Sequence, residues 1–226
     1  MEKLFSVIPA NEKLFRYVKN IVGKKLNKKV FKIDKICNSS SKRVKTYKIS
    51  LKNNLCLRLD IKFNPELTRL QKLAFENNIE IPEVIFEEGI YKFSEWIDGV
   101  MLARVWDIAE VFKKSGDLIG RLSLVKDPIS NKFLTNSEFS STNVIWSKDK
   151  KVYIIDHDRL KTTSNPDSSI VQILLKRIRE KERITLFLEA YSKYRSIDNI
   201  MKLIEKRNWN WDKKKKLMIN IPKLKY

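Results

Sequence analysis

Residues 136–158, NSEFSSTNVIWSKDKKVYIIDHD, decide how this chain is read. A carboxylate (Glu138), an amide (Asn143) and a second carboxylate (Asp156) stand among short apolar runs. Asn143 and Asp156 are 13 positions apart, and the apolar run 151–155 leads into Asp156 after the polar turn 147–150. That pattern predicts a hairpin with Asn143 and Asp156 at neighbouring strand ends and Glu138 on the loop that leads into it. The same letters also fit an ordinary buried strand with a solvated acidic end.

The donor types narrow the chemistry. Hard divalent magnesium takes oxygen from one or two carboxylates or amides rather than nitrogen or sulfur. A phosphoryl group moving between oxygens needs such a cation to neutralise developing charge, and a nearby group to orient the acceptor hydroxyl and take its proton. Asn143 and Asp156 are therefore candidate magnesium ligands, and Glu138 the candidate base.

Working outward, residues 55–84 read LCLRLDIKFNPELTRLQKLAFENNIEIPEV. Residues 55–59 form a buried-strand pattern carrying one cation, Arg58, which needs an anionic partner because an unpaired buried charge is costly. Eight positions on, Glu66 opens a segment in which Leu67, Leu70, Leu73 and Ala74 recur at helical spacing behind Pro65, a residue favoured in a first helical turn. A second strand follows at 90–93, and then Ser94-Glu95-Trp96-Ile97-Asp98-Gly99.

In this order the parts resemble the aminoglycoside phosphotransferase, choline kinase and lipopolysaccharide-core (Kdo) kinase group of the protein-kinase-like superfamily, over about residues 30–195. LCLRL resembles the group's third strand, whose cation contacts phosphate, and Glu66 the helix glutamate that holds that cation. ELTRLQKLAFENNIEIPEV resembles its helix, turn and I-x-x-P-x-V lead into the next strand. SEWIDG resembles the hinge, NSEFSSTN the catalytic loop and IIDHDR the magnesium-binding strand end. Residues 158–191, with Asp-Arg, a basic helix and Phe-Leu-x-x-Tyr, are similar to the end of the lipopolysaccharide kinases.

The resemblance implies an α+β, two-lobed fold, with a small antiparallel N-lobe sheet plus helix and a mainly helical C-lobe. It implies ATP and Mg2+ as cofactors and a hydroxyl of a small molecule or saccharide as acceptor. Arg58 and Glu66 would serve the nucleotide phosphates, and backbone at Glu95, Trp96 and Ile97 the adenine. Two departures stand out. The phosphate-clasping loop, usually glycine-rich, reads Cys37-Asn38-Ser39-Ser40-Ser41-Lys42-Arg43, so the hydroxyls of Ser39, Ser40 and Ser41 or the adjacent cations would replace glycine amides; a plain basic turn explains the same letters. The catalytic loop begins with Asn136 where the group has His, and has Glu138 where it has Asp. The extra methylene matters because a displacement of about 1 Å in a reacting group costs on the order of a hundredfold in rate. A kinase-fold pseudoenzyme, acting as a binding or regulatory module, is the alternative.

Composition suits a folded domain. The chain has 226 residues, 42% of them hydrophobic, with five Trp and eleven Phe, enough for one two-lobed domain or two small ones. No apolar run reaches the roughly 18 residues of a bilayer span, and the first residues lack a secretory core, so a cytoplasmic location is expected. Cys37 and Cys56 are too sparse for a disulfide framework. With His157 the only histidine, zinc-ligand sets and Ser-His-Asp chemistry are excluded.

Net charge is +20, with a pI near 9.8. Lysine outnumbers arginine 35 to 12 and Asn and Ile are plentiful, which AT-rich coding alone enriches. Clusters at Lys24-Lys25-Lys28-Lys29, at Lys176-Arg177-Arg179-Lys181-Arg183 and at 213–216 suit a phosphorylated glycolipid at the inner membrane face, nucleic acid, or a solvated basic surface. A basic nucleic-acid-binding protein, with no groove-reading motif present, is the third hypothesis.

The expected organisation is an N-terminal helical extension over 1–29, an N-lobe over 30–97 and a helical C-lobe over 98–226. Strands are expected at 30–36, 45–51, 55–61 and 90–96. Helices are expected over 1–24 (Leu14, Val18, Ile21, Val22 inward), 107–125, from 166, near 182–194 and at 197–207. The tail 208–226, with Trp209 and Trp211, is expected to cap the lobe or to meet a membrane interface.

Overall fold

A computed structural model describes residues 7–9, 11–36, 45–52, 54–105, 107–136, 139, 143–155, 160–176 and 181–206. Two compact units emerge, one of residues 1–68 and 82–96, the other of 69–81 and 97–226.

The first unit is an antiparallel sheet of β1 (Val7–Pro9), β2 (Val30–Ile36), β3 (Lys45–Leu51), β4 (Cys56–Ile61), β5 (Val84–Glu88) and β6 (Tyr91–Glu95), in the order β1-β2-β3-β4-β6-β5. Alternation sorts its faces. Tyr47, Ile49, Leu51, Leu57, Leu59 and Phe93 are buried in one apolar cluster, while Thr46, Lys48, Arg58, Asp60, Lys92 and Ser94 stand in register on the other face. Helix α1 (Glu12–Leu26) covers the apolar side with Val18 and Val22, both fully buried. Its start is capped by Asn11, whose side chain accepts from the Leu14 amide at 2.9 Å, and its end by Asn27 at φ 51. The sequence set this helix apart as an extension; its burial makes it part of the first unit's core. Two strands of this unit go beyond the sequence expectation: β1, too short for any pattern to register, and β5, of which the sequence indicates only the lead-in at Val84. Leu55, expected within the buried run, is half exposed, and β4 begins at Cys56.

Helix α2 (Pro65–Glu76) starts where Asn64 accepts from the Glu66 amide at 3.0 Å and Pro65 occupies the first turn, as the sequence predicts. Its later residues Leu70 and Ala74, with Ile79 and Ile81, join the second unit's core. That unit holds a three-stranded sheet, β10-β9-β7, from β7 (Gly99–Met101), β9 (Val144–Ser147) and β10 (Val152–Ile154). It also holds a two-stranded sheet of β8 (Phe133–Asn136) and β11 (Leu160–Thr163). Helices α3 (Ala109–Leu122), α4 (Asp167–Lys176), α5 (Lys181–Tyr191) and α6 (Ile197–Lys206) complete it, matching the four expected helices to within a few residues. Val111, Phe112, Ile119 and Leu122 of α3 are buried as their stripe predicts. Among the described residues no helix is long and apolar enough to cross a membrane.

Candidate active site

The hairpin expected at 143–155 is present. β9 and β10 pair antiparallel with Ile154 opposite Val144, and the amide of Ile155 donates to the carbonyl of Asn143 at 3.0 Å. Asn143 thus sits at the open end of the hairpin, buried, directly across from the residue that precedes Asp156. On its other edge β10 is held by the Ile154 amide, which donates to the Glu80 carbonyl at 3.1 Å. Arg121 secures that support from α3: it donates to the Asn78 carbonyl at 2.6 Å, to the Glu80 carboxylate at 2.5 Å and to Asp117 at 3.0 Å. Gly99 closes the third side, because a side chain there would overlap Ile145 and the Trp146 carbonyl; only glycine lets β7 lie this close to β9.

A second pairing completes the frame. Asn136, buried at the end of β8, stands in register with Leu160 at the start of β11. The segment 137–142, which contains Glu138, is therefore bounded by Asn136 and Asn143, and the segment 156–159, which contains Asp156, by Ile155 and Leu160. Both boundaries of one are bonded or in register with both boundaries of the other. Phe139 is buried against Phe187, with ring centroids 6.3 Å apart. Glu138 and Asp156 themselves lie outside the described residues, as do Ser39, Ser40, Ser41, Cys37, His157 and the tail with Trp209 and Trp211.

In the first unit, Arg58 has an anionic partner, as its burial requires. Its Nε donates to both oxygens of Asp60 at 3.0 Å, and Asp60 also meets Lys92 Nζ at 3.3 Å and accepts from Thr46 Oγ1 at 2.8 Å. Burial alone would raise the Asp60 pKa; Arg58, Lys92 and the Thr46 hydroxyl outweigh it and hold the carboxylate below its usual range. Glu66 is exposed at the start of α2. Sequence reasoning missed Asp60 and Lys92. The signal for Asp60 was available, since a residue two positions along a strand shares Arg58's face.

At the hinge, the amide of Glu95 donates to the Glu83 carbonyl at 2.8 Å, which removes it from the donors that an adenine could use. Trp96 lies under Lys48, whose Nζ is 4.6 Å from the ring centroid, and Ile97 is buried. Two other buried acids are engaged structurally. Asp127 accepts from Arg69 at 2.7 and 3.2 Å and from Ser130, and Asp167 accepts from Tyr191 at 2.8 Å and Arg195 at 2.7 Å. Neither carboxylate is available as a base. Among the described residues no three His, Cys, Asp or Glu side chains gather as a metal cage.

The overall fold is similar to that of solved proteins. Over 91% of this chain and 85% of the other, it superposes on a spectinomycin phosphotransferase in complex with ADP and spectinomycin, with a TM-score of 0.65 at 11% identity. The chain has the protein-kinase-like fold. A choline kinase from Streptococcus pneumoniae matches with a TM-score of 0.63 at 13% identity, over 85% of this chain and 86% of that one. An ethanolamine kinase from Plasmodium vivax gives 0.63 at 12% identity, over 86% and 78%. No family model and no curated protein matches the sequence.

Proposed function

We propose that this protein is an ATP- and magnesium-dependent phosphotransferase acting on a hydroxyl of a small molecule or saccharide. The observation that carries the reading is the double closure of the segments holding Glu138 and Asp156, through Asn136–Leu160 register and the Asn143–Ile155 hydrogen bond. The paired residues are those that bound the two segments, and they stand in a fold whose solved neighbours include phosphotransferases and kinases, which supports the reading.

The residues fit magnesium. A cation that keeps most of its shell as phosphate oxygens and water needs only an amide and one carboxylate from the protein, and a cage of three acids is not required. Asn143 and Asp156 are the ligands in this reading. Bound there, magnesium neutralises charge on the phosphates. Glu138 takes the proton of the acceptor hydroxyl as that oxygen forms its bond to the γ-phosphorus and the bond to the bridging oxygen breaks, leaving ADP and a phosphate ester. Arg58, paired with Asp60, meets the nucleotide phosphates, and Glu66 serves them with it in this reading. The hydroxyls of Ser39, Ser40 and Ser41 are the proposed phosphate donors, and hinge backbone at Trp96 and Ile97 takes the adenine.

A lipopolysaccharide-core-type sugar is the favoured acceptor, supported by the resemblance of residues 158–191 and by the +20 charge, which suits an anionic glycolipid. Transfer of labelled γ-phosphate from ATP to a panel of sugars and amino alcohols tests the reading. Label in product, dependent on magnesium and lost in Asp156→Ala, supports it; no transfer to any of them counts against it. The Glu at position 138 favours a second reading, a pseudoenzyme that binds nucleotide without turnover.

A further inference from the structure

One corner of the first unit's sheet, where α1 runs into β2 and β3 turns into β4, carries bulky apolar side chains in solvent among lysines. The β2–β3 register jumps from Val30–Leu51 to Lys32–Ser50, so Phe31 is the extra residue of a β-bulge and is 74% exposed. Bulges re-aim side chains, and this one turns a phenylalanine out of a sheet whose neighbouring residues Val30 and Leu51 are buried. Leu55, 52% exposed, is at the same end of the sheet: its carbonyl accepts at 2.8 Å from the amide of Leu51, the residue in register with Val30.

The surrounding charge has one sign. The Lys52 amide donates to the Lys29 carbonyl at 3.0 Å, which brings these two residues to the same corner, and Lys24 and Lys28 precede them in the last turn of α1 and the connection to β2. All four lysines are exposed and none has an ion-pair partner among the described residues. The nearby acids Glu88 and Asp34 are taken by Lys25 and Lys32.

We propose that this corner docks the protein on an anionic phospholipid bilayer, with Phe31 and Leu55 entering the interface and Lys24, Lys28, Lys29 and Lys52 meeting the headgroups. Single exposed apolar residues are ordinary. Two of them on one bulge-and-turn corner, with exposed lysines in the adjoining backbone, match the apolar-plus-basic composition of surfaces that lie on anionic membranes. Nucleic acid is the weaker match, because Phe31 is a single aromatic with no second stacking platform beside it and the described residues of the corner include no arginine. The inference does not rest on the phosphotransferase reading.

Sedimentation of the full chain with phosphatidylcholine vesicles, with and without phosphatidylglycerol, is the test. Binding is expected only to the anionic vesicles, weakening with salt. Lys28→Glu with Lys29→Glu should lower affinity by at least about fivefold per lysine. Phe31→Ser with Leu55→Ser should lower it by about tenfold while the melting temperature, which reports folding of these exposed variants, stays unchanged. Wild-type vesicle affinity in the Phe31/Leu55 variant would overturn the proposal. So would equal binding to neutral vesicles, or displacement of the anionic vesicles by single-stranded RNA with the same dependence on the lysines.

Discussion

Arg58 and Asp60, two residues apart on β4, face the same side of the sheet, and the Nε of one lies 3.0 Å from both carboxylate oxygens of the other. Asp60 is 2% exposed and also holds Lys92 at 3.3 Å, so one buried anion stabilises two cations. Asp60→Ala strands both. Breaking a buried pair by removing one partner costs about 3–5 kcal/mol, and denaturant unfolding of the variant should show a loss of that size. A loss under about 0.5 kcal/mol, the size of a surface substitution, would mean that the network is not a structural element.

Acid should act through Asp127. Hydrogen bonds from Arg69, then from Ser130, hold its carboxyl well below the usual carboxylate range, with burial opposing them. A folded-state pKa below the unfolded one gives stability that is present above the unfolded value, about 3.9, and is lost as pH falls towards the folded one. Melting temperature measured from pH 6 down to about pH 3 should therefore drop more steeply in the wild type than in Asp127→Asn, which has no proton to take up there. Parallel curves would contradict this assignment.

Gly99 links the first strand of the second unit to the hairpin that ends at Asn143. Gly99→Ala drives a methyl group into Ile145 and the Trp146 backbone, so a destabilisation of about 1–3 kcal/mol is expected. Phosphotransfer should fall with it, by a larger factor than melting alone explains. A variant as stable and active as the wild type would show that β7 does not support the hairpin.

Glu138 carries the sharpest question about catalysis. If it is the base, Glu138→Gln should lower kcat by about 10²–10⁴-fold while nucleotide affinity is kept, since general base catalysis contributes on that scale. Glu138→Asp retains the charge on a shorter arm and should keep more activity than Glu138→Gln. Equal rates for Gln and Asp would remove position 138 from the chemistry.

Much of this architecture was legible because its signals are local. The alternating residues of β3 and β4, the Pro65 start and apolar stripe of α2, and the polar turn between β9 and β10 each announce themselves within about ten residues. β7, β8 and β11 did not, because three- and four-residue strands owe their existence to partners far along the chain, and their propensity is set by those contacts. The same reason hid the Arg121 brace on Glu80, which spans 41 positions. The need of Arg58 for an anion is legible in the sequence; which anion is not, because Asp60 and Glu66 both lie within reach in sequence and only the fold pairs Arg58 with Asp60.

The proposed function requires Asn143 and Asp156 to share one magnesium on a bound nucleotide. Calorimetric titration of the protein with a non-hydrolysable ATP analogue, with and without magnesium, tests it directly. The account predicts magnesium-dependent binding that Asn143→Ala and Asp156→Ala each weaken at least tenfold, with no magnesium binding when nucleotide is withheld. Nucleotide binding indifferent to both substitutions, or no nucleotide binding by the wild type, would contradict it.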